Sequence, residues 1–234
     1  MSLYASSNSQ PSTFKNVPSG LHLARCYRII DLGTQKSEFE GKTNFSRKVM
    51  ICWEIHGDES VTTDKNEPMA IFKTYTLSLN DKAALRADLQ SWRGRAFTQE
   101  ELNRFDLKNV LGHWCMVNVI QKPVGDKVYS NVASLAPVPQ VVKGSGLPEG
   151  HNKLDIFNIA EPDMKLFETF GKNIKFKIEN SPEWKARVGT GFEDMPNDLE
   201  DKDDDLPFWN RKIKKIERRS YFCWFHNNGK DLFF

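Results

Sequence analysis

The chain has 234 residues, 33 Lys and Arg against 31 Asp and Glu, 39% hydrophobic residues and four Cys. That size and mixture fit one modest soluble domain with tails. No run approaches the roughly 20 apolar residues of a spanning helix, and Met1-Ser2-Leu3-Tyr4-Ala5-Ser6-Ser7 lacks the basic and apolar stretches of a secretory signal, so a cytoplasmic protein with no membrane partner is expected. Cys26, Cys52, Cys115 and Cys223 stand apart from one another and from the five His, which argues against a zinc site or a disulfide framework.

In chain order, residues 1–20 are Ser-, Asn-, Gln- and Pro-rich and read as a flexible arm. Residues 22–32 predict a first strand, with Ala24, Cys26 and Ile30 alternating with Arg25, Tyr27 and Ile29. The polar stretch 33–44 reads as a hairpin connection. Residues 45–56 predict a second strand, with Val49, Ile51, Trp53 and Ile55 on one side and Lys48, Met50, Cys52 and Glu54 on the other. Residues 69–79 predict a third, in which Ile71, Lys73, Tyr75, Leu77 and Leu79 share a face opposite Phe72, Thr74, Thr76 and Ser78.

The period then changes. Ala83, Ala84, Leu85, Leu89 and Trp92 predict a helix capped by Asn80 or Asp81 and stopped at Gly94. Thr98 and Glu101 have the spacing of a capping box for a second helix over 99–104. Strands follow over 114–121 and 127–135, joined by the turn Pro123-Val124-Gly125-Asp126. Three strands, a helix and two strands over 21–136 suit a five-stranded OB-fold-like barrel with its helix between strands 3 and 4, mainly β with helices and so α+β in class. Residues 137–160 read as a linker rich in Pro and Gly, and 161–190 as a helical segment packed on the barrel, with Pro182 at the first position of its last helix.

Charge is unevenly spread. Residues 193–208 hold eight acids and one base, net −7, whereas 209–234 hold seven bases and two acids, net +5; residues 1–192 then carry +4. A basic body with an acidic strap points to nucleic acid or to electrostatic self-contact. On the strands, cations neighbour aromatic rings, the pairing single-stranded nucleic acid needs, because cations neutralise phosphates while rings stack on bases at about 1–3 kcal/mol each. The candidate contacts are Arg25, Tyr27, Arg28, Arg47, Lys48, Lys73, Tyr75, Lys127 and Tyr129, with Arg93 and Arg95 at the end of the first helix. Trp53 and Trp114 read as core. Gly41-Lys42-Thr43 lacks the earlier glycine of a phosphate loop, since Lys36 stands there. No catalytic group is assembled in the sequence, and neither a cofactor nor a metal site is expected.

Asp203-Asp204-Asp205-Leu206-Pro207-Phe208 closely resembles the acidic tip of bacterial and phage single-stranded-DNA-binding proteins. The runs Asp31-Leu32-Gly33-Thr34-Gln35, Ser91-Trp92-Arg93-Gly94-Arg95-Ala96-Phe97-Thr98, Phe105-Asp106-Leu107-Lys108-Asn109-Val110-Leu111-Gly112 and Ser181-Pro182-Glu183-Trp184 look like runs in the phage-encoded members. The resemblance implies a non-enzymatic protein that coats single-stranded DNA without strong sequence preference, in phage or host-like replication, recombination and repair. It further implies that residues 191–208 are an acidic partner-docking tail, with 203–208 its docking peptide for replication and recombination enzymes in a bacterial cytoplasm; a homo-oligomer is compatible with it. A strand-annealing recombination protein and a structural adaptor are the alternatives. In that family the tip's Phe is the last residue, whereas Phe208 is followed by 26 more, a basic and then aromatic stretch that reads as an appended segment.

Overall fold

The computed structural model describes residues 15–39, 41–125 and 127–189. Five strands, β1 (Gly20–Phe39), β2 (Lys42–His56), β3 (Ala70–Thr76), β4 (Trp114–Val124) and β5 (Lys127–Ala136), form a mainly antiparallel sheet in the order β3-β2-β1-β4-β5. A short sixth, β6 (Asp155–Phe157), pairs with the middle of β1 in parallel. The ladders do not close on themselves: β3 and β5 approach to within 8 Å between Cα atoms but share no ladder. With its helices the protein is α+β, and among the described residues no helix is long and apolar enough to cross a membrane.

β1 holds the sheet together because it has two partners on one edge. Its first residues, Gly20 to Arg25, pair with β4, and Arg28 to Ile30 pair with β6. Its other edge pairs with β2 along nearly its whole length. Two bulges bend it, at Tyr27 and at Leu32. Each inserts one residue and flips the alternation. The expected phase therefore fails after Cys26: Ile29 joins Ala24 and Cys26 in the first core, and Ile30 turns to the opposite face with Leu32. The polar residues 33–44 are also not a loose connection. The ladder runs on to Phe39 and Lys42 and turns through Gly41, whose φ is +79°.

The sheet consequently has two hydrophobic cores. The first lies on one side of it, around Trp53, Ile51, Ile55, Val117 and Leu135, and is capped by α1 (Ala84–Arg93) through Leu85, Leu89 and Trp92. The second lies on the other side of β1 and β2, where Ile30, Leu32, Met50 and Cys52 meet Phe157, Phe167, Phe170 and Ile178. β2 shows the consequence as an unbroken buried run from Val49 to Ile55, where a half-exposed strand would alternate. The covering helices are α4 (Met164–Glu168), α5 (Lys172–Glu179) and α6 (Pro182–Val188). Gly171 caps α5, and Ser181 caps α6 with Pro182 at its first turn.

Further expectations meet the structure unevenly. Thr98 and Glu101 form the capping box of α2 (Gln99–Asn103), and Gly94 ends α1 in the left-handed conformation at φ 68°. The cap of α1 is Ala83, without a side-chain bond; Asp81 instead pairs with Arg86, so neither Asn80 nor Asp81 caps it. Residues 15–20 are not a free arm. Val17 is buried in the first core, and its carbonyl accepts from Gln121 and Ser130. The stretch 137–160 contains α3 (Gln140–Gly144) and β6 and is bonded to the sheet rather than loose.

Candidate nucleic-acid interface

Most of the expected contact residues are engaged inside the fold. Arg25 pairs with Glu54 at 3.1 Å, Arg28 with Asp155 at 3.0 Å, Arg47 with Asp31 at 2.7 Å and Lys73 with Asp88 at 2.7 Å. Arg93 and Arg95 share the carboxylate of Glu101. Lys48 donates to the Thr76 hydroxyl. Arg25, Arg28, Arg47, Lys73, Arg93 and Arg95 thus neutralise carboxylates of this chain, so phosphates would have to compete for them.

The aromatic candidates divide the same way. Tyr75 is 2% exposed, donates its hydroxyl to Asp88 at 2.8 Å and cannot stack on a base, which corrects the expectation. Burial first, then the neighbouring Asp88 carboxylate, raises its phenol well above the usual value. The reason lies in the strand's alternation, which puts Tyr75 in phase with Ile71 and points both inward. Tyr27, at a bulge, packs against the second core under the Arg28 guanidinium, 5.5 Å from its ring centre, and burial pushes its phenol up to about 12. Trp53 is fully buried as expected, and Trp114 is half-buried with its ring 4.8 Å from His56.

Glu54 explains why Arg25 is unavailable. It lies within the unbroken buried run of β2, and its fully buried carboxylate accepts from Arg25, from the backbone N–H groups of His151 and Asn152 and from the Asn152 amide, with His56 Nε2 3.2 Å away. Burial opposes its ionisation, but the Asn152 and His56 contacts outweigh that and hold the carboxyl below the usual range. This cluster fastens residues 150–152 across β2. A Cβ at Gly150 would fall 1.0 Å from Arg25 Nη1, so a side chain there would displace the guanidinium from its place beside Glu54.

What remains outward is different. Phe72, on β3 opposite Cys52, is 55% exposed and is the aromatic ring that β3 presents to solvent. The sequence carried this signal, since Phe72 is out of phase with Ile71 and Tyr75. The β4–β5 hairpin projects beyond the first core. Lys122 stands opposite Tyr129 and Val124 opposite Lys127, so Ile120, Lys122, Val124, Lys127 and Tyr129 share one face. The hairpin's other face receives residues 16–17, through Asn16 on the Val128 carbonyl and the Val17 carbonyl on Gln121 and Ser130. Lys122 and Lys127 have no carboxylate partner among the described residues. Lys122 does not stand out in the sequence, because no aromatic residue neighbours it along the chain; the ladder supplies Tyr129.

The docking residues Asp203, Asp204, Asp205, Leu206, Pro207 and Phe208 lie outside the described residues, as does Cys223. Cys26, Cys52 and Cys115 are buried thiols; burial raises all three, Cys52 to about 12. Among the described residues no cluster of His, Cys, Asp and Glu could hold a metal ion. A comparison with protein-family models gives no match for this chain, and neither does one with curated proteins.

Proposed function

We propose that the protein coats single-stranded DNA without strong sequence preference, on an OB-type sheet left open between β3 and β5. The observation that carries the reading is the β4–β5 hairpin, where Lys122, Lys127 and Tyr129 share a face and the two lysines are not spent on carboxylates of the described residues. Such a face offers phosphates two cations and a base one ring. Phe72 on β3 offers a second ring. The strand order, with β1 shared between β2 and β4 and a helix between β3 and β4, supports the OB assignment. Coating involves no catalytic step. On the resemblance of residues 203–208 to an acidic tip, the same protein would recruit replication and recombination enzymes in a phage-infected cell.

The test is fluorescence anisotropy of labelled single-stranded and duplex dT-containing oligonucleotides with the full chain across a salt series. Preference for the single strand, weakening with salt, is expected. Equal, weak binding to both would contradict coating and favour a protein adaptor. Accelerated pairing of complementary strands would favour the annealing role.

A further inference from the structure

Two of the four sequence runs that resemble phage proteins meet at a cavity far from the β4–β5 hairpin tip. Its volume is about 530 Å³, within the range of small-molecule sites. The end of α1 brings Arg93; Gly94 then turns the chain so that Arg95 folds back onto Glu101. Phe105 and Asn109 come from the second run, Trp114 from the start of β4, and Lys143 from α3. The lining holds three cations against one carboxylate, an excess of two positive charges. Glu101 is ionised well below neutral pH, its carboxyl held down to about 2 by Arg95 and by the Thr98 N–H that it caps. The Lys143 ammonium and the Asn109 side-chain amide have no hydrogen-bond or ion-pair partner among the described residues.

A cavity that pairs surplus positive charge with a flat ring wall suits a ligand that is both anionic and planar. The Phe105 ring already carries the Arg93 guanidinium 5.1 Å from its centre and meets Phe97 edge-on, so Trp114 is the ring left to a ligand. A phosphate alone would leave that ring unused, and an uncharged base would leave the cations unused. Trp114 and Lys122 are eight residues apart on β4, about 27 Å at the usual rise, so one nucleotide cannot touch both ends.

We infer that this cavity is a second nucleotide subsite, which takes a nucleoside monophosphate with its phosphate toward Arg95, Lys143 and Asn109 and its base against Trp114. The inference deepens the single-strand reading and rests on it for one source of the nucleotide, the 5′-phosphorylated end of a bound strand. The other source is a free nucleotide.

The experiment is an NMR titration of the full chain with dTMP, thymidine and inorganic phosphate, read at the indole N–H of Trp114. Saturable shifts are expected with dTMP, and at least tenfold weaker binding of thymidine and of phosphate. Lys143→Glu, on an exposed position, should raise the dTMP Kd at least tenfold without moving Tm, whereas Lys122→Glu should leave it unchanged. A 5′-phosphorylated dT oligonucleotide that outcompetes its 5′-hydroxyl counterpart at Trp114 would identify the strand end; a response to dTMP alone would identify the free nucleotide. No response to dTMP, or full affinity in Lys143→Glu, would overturn the inference, and oligonucleotide binding that persists in that case leaves the coating reading intact. A dTMP response without any oligonucleotide binding would support the cavity and contradict coating.

Discussion

The covered middle of β1 and β2 and the projecting end of β4 and β5 place the same residue types in opposite surroundings. In the middle, Arg25 and Arg28 sit close to Tyr27 in the sequence, yet each holds a carboxylate and lies under the strap of residues 150–157. At the hairpin, Lys122 and Lys127 flank Tyr129 with no acid of the described residues against them. A cation next to a ring is therefore no mark of a nucleic-acid contact by itself. What decides is whether a distant part of the chain brings a carboxylate to it.

The largest effect should come from breaking the middle. Glu54→Ala strands Arg25 in a buried site and unfastens residues 151–152, and a loss of about 3–5 kcal/mol is expected by urea denaturation. Glu54→Gln should cost less and reveal the pH dependence. The Glu54 carboxyl is held below its usual 4.5, so its contribution is present above that pH and disappears as pH falls through the lower folded value. The stability gap between wild type and Glu54→Gln should accordingly shrink below about pH 4.5. A gap that stays constant would mean that ionised Glu54 does not hold the strap.

Gly33→Ala tests the docking of the helices next. Gly33 has φ +66°, and a Cβ there would lie 2.5 Å from the Ser181 Cβ. About 1–3 kcal/mol of backbone strain, with the displacement of α6 in addition, should appear as a lower Tm. Thr34 should report it, since its N–H and hydroxyl both donate to Glu183 at the start of α6. The smallest effect belongs to Tyr75→Phe, which deletes one hydrogen bond to Asp88 and should cost about 1 kcal/mol while leaving DNA affinity unchanged. Weakened DNA binding in a stable Tyr75→Phe protein would return Tyr75 to the interface.

Much of the fold was legible, and the reasons are local. The shared facing of Val49, Ile51, Trp53 and Ile55 in β2, the periodicity of α1, the capping box at Thr98 and the Ser181-Pro182 helix start each depend on residues a few positions apart. The bulges at Tyr27 and Leu32 were not legible, because they depend on the pairing of β1 with β2, and they reversed the facing of Ile29 and Ile30. The polar ribbon beyond Gly33 looked like a loop because it has little apolar surface to alternate. For the site, the pairing of Arg28 with Asp155, 127 positions away, was not legible, whereas Glu101 lies within eight positions of both Arg93 and Arg95. The proposed interface on the hairpin was half legible, through Lys127 and Tyr129; Lys122 needed the register.

The most direct test of this account compares the salt dependence of single-stranded dT binding for the wild type and for the Lys122→Glu/Lys127→Glu variant, by anisotropy of the full chain. Removing one lysine–phosphate pairing should reduce the slope of log K against log salt by about 0.7, so the slope should flatten by about 1.4 and affinity should fall at least tenfold, with Tm unchanged. A folded variant with the wild-type slope and affinity would contradict the assignment of the hairpin as the DNA-binding face.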